Sequence, residues 1–320
     1  MVNKTVHTET PRDIQASSGA TSPKYNWVGF FHLSVVYIVW GSTYLAIRVA
    51  VRPGAGFPPF TLGLTRVLPA GIILLLWAGI TRKRIRLDRH ELLVMATSGT
   101  LLWLGGNGLV SWAEQRADSS LAALIITATP IWVALIEAII DRQRPSLKLI
   151  ASLLIGLLGI AVLSGPVLLS GVRADVLSIV ALLAAALSWG AGTVLQSRKA
   201  TELDPQVSSG YQHLFGALGF LIVIALIGES RPTPVPEAWI AWGYLIVFGS
   251  ILAFTSYVRA IQALPTKIVM TYAFVNPVIA VILGAIILKE PITIWTFLGA
   301  FLVIVGVVGV FRDRYAGKTN

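Results

Sequence analysis

The sequence predicts an all-α integral membrane protein, in which ten transmembrane helices form two inverted five-helix repeats around a central cavity. Three observations lead to this prediction: the composition, the spacing of the apolar stretches and an internal repeat. Of the 320 residues, 55% are hydrophobic and only 12% are charged, and the mean hydropathy is +0.77. A soluble domain of this length carries about twice as many charged residues. The chain therefore belongs in a lipid bilayer.

Ten apolar stretches have about the 20 residues that a helix needs to cross a hydrocarbon layer of roughly 30 Å. They are residues 28–47, 60–80, 91–112, 119–140, 147–164, 176–195, 208–227, 238–258, 266–288 and 292–311. The connections between them are short. Residues 1–27 are polar and rich in Ser and Thr, which predicts a disordered tail, and residues 312–320 form a second, shorter tail.

The positive charges are unevenly distributed between the two sets of loops. The tails and the loops after the second, fourth, sixth and eighth stretches hold 18 of the 25 Lys and Arg residues; the other loops hold six, and Arg66 lies inside a stretch. Loops rich in Lys and Arg stay in the cytoplasm. We therefore expect both termini to be cytoplasmic, and the net charge of +10 reflects membrane topology and contact with anionic lipid rather than binding of nucleic acid.

The second half of the chain repeats features of the first. A shift of 147 residues places Pro130 on Pro277, and a shift of 149 places Trp40 and Gly41 on Trp189 and Gly190. The repeats are residues 28–164 and 176–311, and five spans per unit force the second copy to insert upside down. Inverted repeats with interrupted helices indicate a secondary transporter. Pro130 and Pro277 are predicted to kink two helices beside a cavity, although bending for packing alone is the alternative.

Several short motifs make the chain resemble the drug/metabolite transporter superfamily, in its EamA branch. They are "WGS" at 40–42, "PPF" at 58–60 followed by Arg66, "DSSLAA" at 118–123 followed by Pro130, "NPV" at 276–278 and "LKEPIT" at 288–293. The many aromatic residues within the spans look most like the YddG-type exporters of aromatic amino acids. The resemblance implies a ten-helix basket in the bacterial inner membrane that exports amino acids or other small metabolites by alternating access.

Residues deep in the spans are the candidates for contact with a small-molecule substrate. Indole, phenol and amide groups at such depth need a partner in the protein or a ligand. The predicted substrate-binding residues are Trp40, Tyr44, Trp103, Asn107, Trp189, Gln212, His213, Phe254, Tyr257, Tyr272 and Asn276. Packing against a neighbouring helix is the alternative for each aromatic residue, a structural hydrogen bond is the alternative for His213, and close helix packing is the alternative for the glycines of "GGNG" at 105–108.

Few charged groups lie within the apolar stretches. Arg66 could reach outward to the interface or meet a substrate carboxylate, and a structural role is favoured. Glu137 lies near the cytoplasmic end of its span, where pairing with Arg142 or Arg144 is expected and a proton relay is the alternative. With no acid at mid-depth, the sequence favours an uncoupled facilitator. A proton-coupled exporter of another metabolite or a drug-like cation remains an alternative, as does a channel or scramblase.

Other chemistry finds little support in the sequence. There are no cysteines, and the four histidines lie in separate segments without ligand-like spacing, so we expect no metal, no cofactor and no catalysed reaction. The short loops offer little surface to a protein partner. Spaced glycines in the fifth and tenth stretches leave open a monomer or a weak homodimer, because packing within one chain explains them equally well.

Overall fold

The computed structural model describes residues 26–117, 119–165, 169, 175–199, 201–287 and 293–316. Within these ranges the chain is helical and contains no strand. Eight helical stretches within these ranges, one of them Leu124–Asp141, are long and apolar enough to cross a membrane. The all-α, multi-pass membrane character predicted from the sequence is confirmed. Residues 1–25, Asp118, most of the "LKEPIT" motif and residues 317–320 lie outside the described residues.

The helices are numbered α1 to α12 in chain order. Their bounds are α1 Trp27–Val51, α2 Pro59–Ile80, α3 Arg89–Ala113, α4 Ser119–Ile126, α5 Thr129–Asp141, α6 Leu147–Leu163, α7 Val176–Arg198, α8 Pro205–Ile227, α9 Pro236–Ala263, α10 Thr266–Val269, α11 Tyr272–Ile287 and α12 Ile294–Ala316. α6 has 17 residues and α11 has 16, somewhat fewer than a span usually needs. A count of ten spans therefore stays a prediction.

Two of the predicted spans, the fourth of each chain half, are broken by a turn in the first half of the span. α4 and α5 are separated by a turn at Thr127 and Ala128, and α10 and α11 by a turn at Met270 and Thr271. Pro130 lies in the first turn of α5, where a missing backbone N–H is harmless. Pro277 instead lies inside α11, beyond the break. The two prolines thus occupy different positions relative to their helix ends.

The helices pack in pairs that correspond between the two halves of the chain. α2 packs along α8, and α6 packs along α12, so each of these pairs joins equivalent segments. α1 packs against α9 and α11, while its counterpart α7 packs against α3 and α5. Every one of these contacts is therefore matched by an equivalent contact in the other half. The first and second halves meet across the middle of the molecule.

Glycines allow α6 and α12 to touch backbone to backbone. A Cβ on Gly159 would lie 2.7 Å from the backbone nitrogen of Val303, and one on Gly306 would lie 2.7 Å from that of Gly156. Gly299 faces the backbone of Leu163 in the same way. Small residues allow such close approach between membrane helices. The spaced glycines are thus used for packing within the chain.

The ion pairs among the described residues cluster at the ends predicted to be cytoplasmic. Arg198 at the end of α7 donates to both carboxylate oxygens of Asp141 and lies 3.7 Å from Glu137. The expected pairing of Glu137 with Arg142 or Arg144 is wrong: the end of α7 lies closer to α5 than the following loop does. Lys267 similarly pairs with Asp313 at 2.7 Å. The Arg198 pairs tie the two halves together at this end, whereas the Lys267 pair ties α10 to the end of α12 within the second half.

Replacement of Gly306 by Leu is expected to lower the midpoint of thermal unfolding, because the new side chain has no space against the backbone of α6. Overpacking of this kind costs about 1–3 kcal/mol. Gly243 is the matched control, since it also lies inside a helix but has nothing within 4 Å of its Cβ position. Thermal unfolding of detergent-solubilised Gly306→Leu and Gly243→Leu, followed by intrinsic fluorescence, compares the two. Equal midpoints would show that the α6–α12 contact does not limit stability.

Candidate functional site

A cavity lies between helices of both halves, at the centre of the molecule. It comprises about 600 Å³ of empty space, and its walls come from α1, α2, α3, α4, α7 and α11. Only about 70 Å³ of this space is accessible to water-sized molecules in this structure, which is less than the usual volume of a small-molecule site. Seven of the predicted substrate-binding residues line it: Trp40, Tyr44, Trp103, Asn107, Trp189, Tyr272 and Asn276. Whether they bind a substrate stays a prediction.

Trp40 of α1 lies at the centre of the aromatic wall. Its ring meets those of Trp189 and Tyr272 edge to face, with centroids 5.4 and 5.1 Å apart. Such geometry is favourable for aromatic pairs. The indole Nε1 donates to the backbone oxygen of Gly249 at 3.1 Å, so the hydrogen-bonding need of this nitrogen is met by α9. Trp40 is therefore fixed in place before any ligand binds.

The glycines of α3 make room for neighbouring side chains as well as for the cavity. A Cβ on Gly106 would lie 2.6 Å from the ring of Trp189, and one on Gly105 would lie 2.1 Å from the hydroxyl of Ser188. Gly106 also lines the cavity beside Asn107. Gly106 thus serves both the cavity and the packing of the helices. It lines the cavity, and its missing side chain leaves space for the ring of Trp189 in the wall.

Asn276 joins the cavity wall to α1. With its amide oriented to satisfy both neighbours, Nδ2 donates to the backbone oxygens of Tyr37 and Tyr272 at 3.1 Å. α1 and α11 approach closely here, since a Cβ on Gly41 would lie 3.0 Å from the backbone oxygen of Asn276. Asn276 thus ties α11 to α1 beside the cavity.

Two helices at the cavity contain π-helical stretches: α3, which lines it, and α9, which packs behind its wall. α3 is π-helical over Thr100–Gly108, and α9 is π-helical over Leu245–Phe254. π-helical turns are rare and occur often at functional sites, because they insert an extra residue and re-aim the side chains that follow. Trp103, Gly106 and Asn107 all belong to the stretch in α3.

Arg66 of α2 also lines the cavity and is only 3% exposed. It does not reach outward to a membrane interface. Its Nε donates to Ser250 at 2.8 Å, its Nη1 lies 3.4 Å from the side-chain oxygen of Asn107, and its guanidinium carbon lies 5.1 Å from the ring centroid of Trp103. All three partners belong to the two π-helical stretches. Among the described residues, no carboxylate forms an ion pair with it.

Four predicted substrate-binding residues lie behind the wall rather than on it. Gln212 donates to Ser98 and Gln196, and His213 bonds through Nδ1 to the backbone oxygen of Ser209 at 2.7 Å. Phe254 stacks against Trp103, with centroids 4.8 Å apart. The fourth, Tyr257, shares a short hydrogen bond with Thr193 and stacks on Trp40. These residues are fully buried and support the aromatic wall from α8 and α9.

Seven lining residues are not among the predicted substrate-binding residues, although a substrate carboxylate is one of the two partners that the sequence analysis weighs for Arg66. The seven are Thr43, Ile47, Arg66, Gly106, Val110, Ile126 and Ala185. A usable signal was present in two helices, because Trp40, Thr43, Tyr44 and Ile47 follow the spacing of one helical face, as do Trp103, Gly106, Asn107 and Val110. Extending each predicted pair along its face would have found four of the seven.

Four tryptophans near helix ends point outward. Trp27, Trp77, Trp239 and Trp295 are exposed on the protein surface. Trp242 is only partly exposed and donates from Nε1 to Thr65 at 3.2 Å. Trp132 is also only partly exposed and is not among the cavity-lining residues.

The match to known proteins covers both halves of the chain. The sequence profile of the EamA-like transporter family matches residues 27–165 and again residues 176–312. The chain belongs to the EamA-like transporter family. Membership identifies it as a transporter rather than an enzyme, as the sequence motifs suggested.

Relatives in this family are themselves named as transporters. The uncharacterized inner membrane transporter YedA of Escherichia coli (strain K12) is 31% identical over 89% of this chain and 91% of its own length. The uncharacterized transporter YoaV of Bacillus subtilis (strain 168) is 27% identical over 85% of this chain and 92% of its own. A crystal structure of another protein matches with a TM-score of 0.73 and 20% identity, over 91% of this chain and 98% of that chain. That similarity shows the fold alone.

The cavity combines aromatic surface with a few polar groups. Five of its residues carry aromatic rings, two carry amides, one carries a hydroxyl on a short side chain, and Arg66 carries the only charge among the described lining residues. No group of three His, Asp or Glu side chains within the described residues could hold a metal ion. The walls of this EamA-family cavity suit a small ligand with an aromatic part and a polar part.

Thiol labelling can test whether the cavity is reached from water. The native chain has no cysteine, so Thr43→Cys carries a single thiol on the cavity wall. We expect a small polar thiosulfonate to label it, because alternating access would open this wall to one side of the membrane in turn. Val36→Cys is the matched control, since it lies on the same helix and is fully buried in the core. Labelling of both positions at equal rates would mean that the cavity is not the accessible path.

Proposed function

We propose that the protein exports aromatic amino acids by alternating access, as an uncoupled facilitator of the YddG type. The main support for this proposal is the aromatic wall of the central cavity, which is formed by Trp40, Tyr44, Trp103, Trp189 and Tyr272. Indole and phenol faces stack on the aromatic side chain of a substrate. The amides of Asn107 and Asn276 bind the polar groups of the same molecule.

The proposal includes ten spans arranged as two inverted repeats. It is supported by the matched helix contacts of the two halves, by the two broken segments before α5 and α11, and by the two π-helical stretches in α3 and α9. Five segments per half give the halves opposite orientations in a membrane. The inverted pairing allows one half to rock against the other around a site between them.

The residues of the cavity wall favour transport that is not coupled to a proton gradient. None of its described lining residues is acidic, and proton-coupled carriers usually place a titratable group near the midplane. Glu137 is held in ion-pair distance of Arg198 at one end of α5, away from the aromatic wall. The concentration gradient of the substrate would then drive its export from the cytoplasm. The proposal places both termini on the cytoplasmic side.

A proton-coupled exporter remains the second candidate, because one buried acid lies close to α3. Glu114 follows the end of α3 and is fully buried. Neither of its carboxylate oxygens has a hydrogen-bond partner among the described residues, while its backbone oxygen accepts from Arg48 at 3.1 Å. Transport that requires a proton gradient and loses this requirement in Glu114→Gln would favour the second candidate.

The first test is exchange of labelled tryptophan into proteoliposomes preloaded with unlabelled tryptophan, with no ion gradient. We expect saturable exchange in the native protein. Trp40→Ala should raise the half-saturating concentration about tenfold, since it removes a central stacking surface. Asn107→Ala should also weaken exchange, because it removes a polar contact.

Trp77→Ala provides the matched control, since this tryptophan is exposed on the outer surface of α2. It should exchange tryptophan like the native protein. Flux that grows linearly with concentration would contradict a carrier and favour a channel or scramblase. Absence of exchange across the aromatic amino acids would remove the proposed substrate class but leave the family assignment intact.

A further inference from the structure

We infer that Arg66 binds the carboxylate of the substrate, and that the cavity requires this carboxylate but not the ammonium group of an amino acid. Aromatic monocarboxylates would then bind, whereas aromatic amines would not. The inference rests on the proposed function. It narrows the proposed substrate class to aromatic compounds that carry a carboxylate.

The charge of Arg66 is buried without compensation among the described residues. The side chain is 3% exposed and makes no ion pair. A buried guanidinium is costly unless it meets an anion. The polar groups that Arg66 does meet, Ser250 and Asn107, are neutral. An anionic ligand in the adjoining cavity would supply the missing charge.

The guanidinium has hydrogen-bonding capacity left for a ligand. An arginine carries five N–H donors in a planar fork that fits a carboxylate. The bond from Nε to Ser250 is short at 2.8 Å, whereas the contact from Nη1 to Asn107 is long at 3.4 Å. The guanidinium also lies over the ring of Trp103, with its central carbon 5.1 Å from the ring centroid. Nη2 makes no hydrogen bond among the described residues and the contact of Nη1 is long, so both terminal nitrogens have donors left for a carboxylate in the cavity that Arg66 lines.

The same wall contains no partner of opposite charge for an ammonium group. Among its described residues, only neutral acceptors such as the side-chain oxygens of Asn107 and Asn276 are present. Hydrogen bonds to neutral groups contribute less than charged pairs do. The ammonium thus adds little, while an amine without a carboxylate is repelled by Arg66.

A ligand panel tests the charge requirement on the purified native protein. Thermal unfolding in detergent is followed by intrinsic tryptophan fluorescence with phenylalanine, 3-phenylpropionate or phenethylamine present, because these ligands share the phenyl ring and differ in charge. We expect the first two to raise the unfolding midpoint and phenethylamine to leave it unchanged. Stabilisation by phenethylamine, or none by 3-phenylpropionate, would overturn the inference.

Substitutions then assign the effect to Arg66. Arg66→Gln should weaken binding of 3-phenylpropionate at least about tenfold, and Arg66→Lys should retain part of it, since it keeps the charge but loses the fork. Arg116→Gln is the matched control, because Arg116 also lies over a tryptophan ring but on the exposed surface, and it should bind normally. Native affinity in Arg66→Gln would overturn the role of this residue. If Arg66→Gln fails to fold, Arg66→Lys takes its place, because it lacks the planar fork. Weaker binding of 3-phenylpropionate by Arg66→Lys then supports the role of Arg66, and native affinity overturns it.

Failure of the proposed function has a separate signature. Proteoliposomes that do not exchange tryptophan would reject aromatic amino-acid transport. The binding panel requires no transport, so it still decides whether Arg66 selects carboxylates.

Discussion

A buried arginine that pairs with no carboxylate of the described residues is the constraint around which the centre of this protein is arranged. Arg66 enters the cavity from α2, and its contacts reach α3 through Asn107 and Trp103 and α9 through Ser250. Removing an ion from water into a protein interior costs several kcal/mol. The neutral dipoles and the indole face around Arg66 offset part of this cost, and an anion in the cavity would offset more. One charge thus links the packing of three helices to the chemistry of the site.

The aromatic wall and the buried charge depend on close helix contacts that only small residues permit. Gly106 admits the ring of Trp189, and Gly41 allows α1 to approach α11 at Asn276. On the outside of the molecule, the glycines of α6 and α12 lock two helices together by their backbones. The ion pairs of Arg198 and Lys267 add cross-links at one end. The helices that enclose the cavity are therefore held by close contacts both at its wall and away from it.

The sequence predicted the helical membrane architecture well, because long apolar stretches have few alternatives in a bilayer. It also pointed to Trp40 and Asn107, since depth in a span can be read from distance to the ends of the stretch. Depth in a span does not show which face of the helix points to the cavity. Gln212 and His213 were therefore expected to line the cavity, but they lie behind its wall and form hydrogen bonds with α3, α7 and their own helix. Pairing of Glu137 with Arg198 depends on which helices are neighbours in space, and residue spacing alone carries no such information.

The two π-helical stretches have a consequence for motion. Each holds an additional residue within the helix, and a return to regular α-helical geometry would expel it, turning the helix beyond that point by about 100° and moving it about 1.5 Å along its axis. Asn107 and Ser250 lie within these stretches, and both contact the guanidinium group of Arg66. A change of register in either helix would exchange the side chain that faces the guanidinium without unwinding the span. Substrate release could then be timed by the winding of a helix rather than by the opening of a loop.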